Sequence, residues 1–391
     1  KVQLTKNRWV VKSVIEVTSK GVYFTGTGEN PLNTMLYFVN FKGKQKLITQ
    51  VEGTHSVVIN DKAGLIFDQY SNITTPNKAQ ILNKSGKVLS TVLEAKNPLE
   101  NVTLGTAEFS SLKANDGKEL KTRLIKPSNF DPSKKYPVLL YFYETHTSTL
   151  HSYIPPAPTG SRLNVSFYVS RGYVVLSPDI HYTIGYPAKS CYDYVVSAAN
   201  QLAKEPWIDG GRIGIQGQSW GGIQVAQLVT MTNLFRAAWA GAPVANMTSA
   251  YGGIRWESGL NRQFQYEISQ SRIGATLWQR QDLYIKNSPL FSVPKITTPL
   301  VIMANDADGA VPWYQGIELF TAMRRLGKKV WMLNYNGEAH NLRERKNQKD
   351  ISIRQQQYFD WLLKGERPAR WLTEGVPAIN KGRDLGLDLI D

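Results

Sequence analysis

The chain predicts an all-β segment over residues 1–110, followed over residues 111–391 by an α/β fold with a doubly wound, mostly parallel sheet. Three observations predict it. The first hundred residues are short β-branched and aromatic runs separated by Gly, Asn and Lys turns. Beyond about residue 120, continuous apolar runs alternate with helical stretches. A glycine-rich turn at 217–222 joins one such run to a helix.

In the first segment, runs at 9–11, 21–25, 35–39 and 46–48 form one set of four strands, and runs at 55–59, 65–68, 79–82 and 87–90 form a second. A repeat of about forty-odd residues with four strands is the period of a propeller blade. Two blades cannot close a ring, which needs at least about four. The expectation is a partial β-propeller whose earlier blades lie outside this chain, the alternative being an open sheet packed on the second region.

In the second region, 136–143 and 173–177 are unbroken apolar runs, as expected of strands buried on both faces. Runs at 212–215, 299–303 and 330–333 continue the series, and helical stretches near 191–204, 222–231, 314–326 and 352–363 separate the strands. The segment 252–286, rich in Arg, Gln and aromatics, interrupts the alternation and is expected to fold as helices over the site.

Gly217-Gln218-Ser219-Trp220-Gly221-Gly222 falls between a strand and a helix, where a nucleophile elbow forms. Glycines two positions either side relieve the crowding of a strained serine, and the helix start favours negative charge at its hydroxyl. Such a serine needs a base, and the base needs an orienting acid; in the α/β-hydrolase arrangement the chain order is Ser, acid, His. Of five histidines only His340 follows Ser219, in a loop after the strand 330–333. The loop after 299–303 carries both Asp306 and Asp308 as candidate acids; Asp282, in a helical stretch, is a third.

Composition narrows the reading. A formal charge of +15 could suit anionic polymers, but Lys and Arg are spread along the chain and no nucleic-acid motif appears, so no nucleic-acid partner is expected. No stretch is long and apolar enough to span a membrane. The single cysteine, Cys191, excludes an internal disulfide and reads as a buried apolar residue. No metal and no cofactor are expected, since neither H-E-x-x-H nor paired-cysteine spacing occurs. Asn-x-Ser/Thr sites, among them Asn72, Asn101, Asn164 and Asn246, are close to the number chance gives. The chain starts at Lys1 with no visible leader; the compartment is left open, with periplasm or secretion favoured over cytoplasm.

These motifs resemble the prolyl oligopeptidase family of serine peptidases, and most its dipeptidyl-peptidase IV branch. The similarity runs through residues 209–215 into the serine turn, and extends over nearly the whole chain as last propeller blades plus catalytic domain. In that family the acid precedes a Val by three positions, which selects Asp308 before Val311 over Asp306. The resemblance also implies an oxyanion site made by the Trp220 N–H and the Tyr143 hydroxyl, although Glu144-Thr145-His146 replaces the family's Gly-Gly-Pro. It implies an apolar pocket drawing on Tyr143, Trp220, Val244, Tyr251 and Val311, suited to proline or a small apolar side chain. Ala310 replaces an asparagine that grips a substrate carbonyl in the dipeptidyl branch, and the paired glutamates of that branch would lie before Lys1. The function expected is therefore a serine peptidase acting on short peptides, with peptide substrate as partner and a homodimer as one assembly allowed. An esterase on the same fold and a non-catalytic binding module are the alternatives.

Overall fold

The computed structural model describes residues 2–97, 105–146 and 149–391. Two units form the chain: Lys1–Thr103 with His146–Pro156, and Leu104–Thr145 with Ala157–Asp391.

The first unit holds two antiparallel four-stranded meanders: β1 (Val11–Thr18), β2 (Gly21–Gly26), β3 (Met35–Asn40) and β4 (Gln45–Leu47), then β5 (Thr54–Asn60), β6 (Leu65–Ser71), β7 (Lys78–Asn83) and β8 (Val88–Glu94). The central strands alternate apolar side chains into shared cores, with Tyr23, Leu36, Ile48, Ile66 and Leu82 buried together. The outer strands differ: every residue of β8 is exposed, and Val14 and Val17 of β1 face solvent. The first strand was expected at 9–11 and instead runs over Val11–Thr18. Its Lys, Ser and Glu positions lie on an edge strand with no buried face to impose an apolar repeat. Trp9 itself packs on Tyr37, ring centres 4.7 Å apart, and crosses Gly26 so closely that a Cβ there would stand 2.4 Å from the indole. A buried polar cluster pins the second meander. His55 Nδ1 lies 2.8 Å from Asp68 Oδ1, and the Gln80 amide donates to Asp68 Oδ2 at 2.9 Å.

The second unit is built on an eight-stranded sheet. Its strands are β9 (Ala107–Lys113), β10 (Glu119–Ile125), β11 (Tyr136–Tyr141), β12 (Val174–Pro178), β13 (Ile208–Gln218), β14 (Ala237–Gly241), and, after a two-stranded hairpin β15 (Ile254–Arg255) and β16 (Leu260–Asn261), β17 (Leu300–Met303) and β18 (Val330–Leu333). The order across the sheet is β18-β17-β14-β13-β11-β12-β10-β9. The pairs from β12 through β11, β13, β14 and β17 to β18 are parallel, and β10 and β9 add antiparallel strands at one edge. Strands β11, β12, β14 and β17 are buried at every residue, which is what helices on both faces require. The main covering helices are Pro187–Leu202, Trp220–Met231, Trp313–Arg325 and Arg345–Phe359. This is the α/β-hydrolase architecture, preceded by an all-β unit.

Between residues 252 and 286 the expected helices form only in part. The hairpin β15–β16 comes first, then the short helices Gln263–Glu267 and Gln281–Lys286. Of the Asn-x-Ser/Thr sites named above, Asn101 lies outside the described residues. The other three asparagines are engaged locally: Asn164 and Asn246 cap helices, and Asn72 closes a turn onto Thr75 at 2.8 Å. Cys191 is fully buried, and burial pushes its thiol well up, away from nucleophilic use.

Candidate active site

Four parallel strands lead at their carboxyl ends into the candidate residues: Tyr143 after β11, Ser219 after β13, Asp308 after β17 and His340 after β18. That is the edge at which sheets of this kind place their sites.

Ser219 ends β13 and caps the helix Trp220–Met231 with φ 61° and ψ −116°, backbone that an L-residue rarely adopts. Its N–H donates to the Gly241 carbonyl at 2.7 Å, which helps hold the strained turn. The flanking glycines are required by close backbone approach. A Cβ on Gly217 would stand 2.4 Å from the Gly221 carbonyl oxygen, and one on Gly221 2.6 Å from that of Phe142.

His340 Nδ1 lies 2.7 Å from Asp308 Oδ2. With the carboxylate ionised, Nδ1–H donates and Nε2 is left to accept a proton. The other carboxylate oxygen accepts the N–H groups of Ala310 and Val311, each at 2.8 Å, so the buried anion is fully engaged. The histidine loop is stapled from both sides. Gln218 Nε2 donates to the His340 carbonyl at 2.8 Å, and Asn305 Nδ2 to that of Ala339 at 2.8 Å. Asp306, the competing acid, accepts from Asn336 Nδ2 at 2.6 Å and Gly337 N–H at 2.8 Å. Those two donors, the Asn336 amide first, hold its carboxyl below the usual range. Glu338 accepts from the N–H groups of Arg343 and Glu344 and from Asn347 Nδ2, at 2.7, 3.0 and 2.7 Å. Burial pushes the Glu338 carboxyl up, but these donors outweigh it and leave it lowered. Neither Asn305 nor Glu338 stood out in the sequence, because their partners, mostly backbone groups, are ones that only the fold brings near.

Ser219 and His340 line one cleft of about 410 Å³, and Tyr143, Trp220, Val244 and Val311 line it with them. Tyr251 is not among its lining residues. It sits beneath, 2% exposed, with its ring edge-on to Tyr284 at 5.2 Å and its hydroxyl bonded to Glu267. Burial first, then that carboxylate, push the Tyr251 hydroxyl up to about 12. The side chain supports the pocket floor and does not face the cleft.

The altered loop after Tyr143 is neutralised in place. Glu144, at φ 47°, accepts from Arg272 Nη2 at 2.8 Å, and its N–H donates to Gln224 Oε1 at 3.1 Å. Gln270 Nε2 donates to the Tyr143 hydroxyl at 3.1 Å, and the Gln270 carbonyl oxygen is fixed by Gln265 Nε2 at 2.6 Å. Among the described residues no group of three or more His, Cys, Asp or Glu is arranged to hold a metal ion.

Known proteins resemble the chain over most of its length. Residues 1–77 match the dipeptidyl peptidase IV N-terminal region. Dipeptidyl-peptidase 5 of Porphyromonas gingivalis is 26% identical over 381 residues, covering 91% of this chain and 51% of its own. Among solved structures, Porphyromonas gingivalis dipeptidyl peptidase 4 aligns at TM-score 0.73 with 22% identity, covering 87% of this chain and 48% of that one. Pyrococcus horikoshii acylaminoacyl peptidase aligns at 0.73 with 17% identity, covering 94% and 58%. The chain thus spans about half the length of the curated relatives it matches. Residues 159–366, just over half of the chain and including Ser219, Asp308 and His340, match the prolyl oligopeptidase family model, and the chain belongs to that family.

Proposed function

We propose that residues 111–391 form the catalytic domain of a serine peptidase, and that residues 1–110 supply the last blades of a propeller. The observation that carries the reading is the 2.7 Å contact between His340 Nδ1 and Asp308 Oδ2 in a cleft shared with a serine on a strained strand-to-helix turn.

In this reading Ser219 Oγ attacks the scissile carbonyl carbon while His340 Nε2 takes the hydroxyl proton. Asp308 holds the ring in the tautomer that leaves Nε2 open and stabilises the imidazolium that forms. The carbonyl π electrons move to oxygen, where the Trp220 N–H and the Tyr143 hydroxyl donate to the new charge. The C–N bond then breaks and the amine leaves with the proton from His340. Water repeats the sequence on the acyl-enzyme and frees the acid. Trp220, Val244 and Val311 give the residue before the cut an apolar surface, which suits proline or a small apolar side chain.

An esterase on the same fold is the second reading, and the dipeptidyl-peptidase relatives favour the peptidase over it. Two measurements test the assignment. A fluorophosphonate is expected to label the native protein and not Ser219→Ala; absence of labelling in folded wild type would overturn the hydrolase reading. Turnover of a proline-containing peptide anilide is expected to exceed that of a short acyl ester, and the reverse would move the assignment to an esterase.

A further inference from the structure

Two arginines line the cleft beside Ser219 and His340, Arg255 and Arg262, and no Asp or Glu lines it among the described residues. Arg262 is 1% exposed. Its described hydrogen bonds go to neutral acceptors only: Nη1 to the Ala310 carbonyl, Nε and Nη2 to the Tyr266 hydroxyl at 3.3 and 3.0 Å. A guanidinium has five N–H groups. The second N–H of each terminal nitrogen therefore has no acceptor among the described residues. Arg255, half-buried on β15, donates only a long 3.4 Å bond to Gln265 Oε1.

Neither arginine forms an ion pair among the described residues, whereas several others do. Arg171, Arg272, Arg280, Arg354 and Arg370 all hold a carboxylate within 3.0 Å. The acids nearest in sequence are used elsewhere: Glu257 faces Arg343 at 3.6 Å and Glu267 holds Tyr251. A buried charge without a counter-charge is costly, and the cost falls when an anion arrives.

We infer that Arg255 and Arg262 form a carboxylate-binding wall, so that the preferred substrate carries a carboxylate within a residue or two of the scissile bond. The inference rests on the peptidase reading and deepens it: an apolar residue enters the pocket by Val244 and Val311, and a neighbouring carboxylate meets the arginines. An Asp or Glu side chain and a free C-terminus present the same chemistry. The planar fork of Arg suits either one, in a bidentate arrangement.

The test is a matched peptide series, with Glu against Gln at each position flanking the cut in one arm and C-terminal acid against amide in the other. At least one carboxylate placement is expected to raise kcat/KM about tenfold, which corresponds to about 1.4 kcal/mol. Added salt should shrink that ratio. The arm that responds identifies the source. In Arg255→Gln and in Arg262→Lys the ratio should fall toward unity; because it is taken within one variant, partial loss of folded protein cancels. Arg255→Gln, half-buried and without an ion pair, serves if the Arg262 variant does not fold. Ratios within about twofold in both arms, with Ser219 still labelled by a fluorophosphonate, would overturn this inference and leave the peptidase reading intact. Absence of labelling would remove both.

Discussion

Gln270 donates its amide hydrogen to the hydroxyl oxygen of Tyr143, 3.1 Å away, and is itself held in that orientation by Gln265. A phenol that accepts from behind has its own O–H directed elsewhere, and in the proposed mechanism that is the oxyanion. Tyr143→Phe is expected to lower kcat about a hundredfold, as for loss of one oxyanion donor. Gln270→Leu should lower it less, with KM nearly unchanged. Added to Tyr143→Phe, it should cost nothing further, because the glutamine acts through the hydroxyl. Additive losses in that cycle would show that Gln270 works by another route.

The two aspartates of the 304–312 loop should separate cleanly. Asp308→Asn is expected to cut kcat by about 10⁴, the scale for loss of the group orienting a catalytic histidine. Asp306→Asn removes an anchor of the histidine loop at an exposed position and should cost less than about tenfold. Steady-state kinetics of both variants, with circular dichroism to confirm folding, decides it. Equal losses would mean that the acid has been misassigned.

Glu338 gives a prediction in pH. Its folded carboxyl lies below the unfolded value, so its contribution is full above the ordinary glutamate range and is lost as pH falls through the lowered folded value. Glu338→Gln should therefore lower Tm at neutral pH, by the equivalent of about 1–3 kcal/mol. It should also flatten the acid decline of Tm, so that variant and wild type converge in strong acid. A Tm deficit of constant size across that range would contradict the assignment.

In the first unit, the His55–Asp68 pair is almost wholly buried. Removing one partner strands the other, so His55→Ala and Asp68→Ala should each destabilise by about 3–5 kcal/mol. Replacing both with apolar residues of similar size should recover part of that loss. Chemical denaturation of the four proteins tests it, and two single variants each within about 1 kcal/mol of wild type would show the pair to be weak.

Much of this was legible in the sequence where one constraint acts alone. Strands β11, β14 and β17 must be apolar throughout because helices cover both faces, and the serine turn must be glycine-flanked because backbone crosses it. His340 was legible by chain order. The choice of Asp308 over Asp306 came from resemblance and not from spacing, since both sit in one loop and only their partners differ. Strand β1 was placed too early and the hairpin β15–β16 was missed, because edge and surface pairings leave no apolar period to read. The orientation of Tyr251 and the company kept by Arg262 depend on residues distant in sequence, and so does the membership of His146–Pro156 in the first unit.

Gln218 immediately precedes the proposed nucleophile and grips the carbonyl of the residue proposed as base. One strand thereby sets the spacing of the proposed attacking atom and its proton acceptor without help from the β15–β16 hairpin. Turnover should consequently survive rewriting of that hairpin's solvent-facing tip far better than it survives a change of the single amide at position 218, which makes Gln218 the place where a substitution outside the proposed triad would abolish the proposed activity.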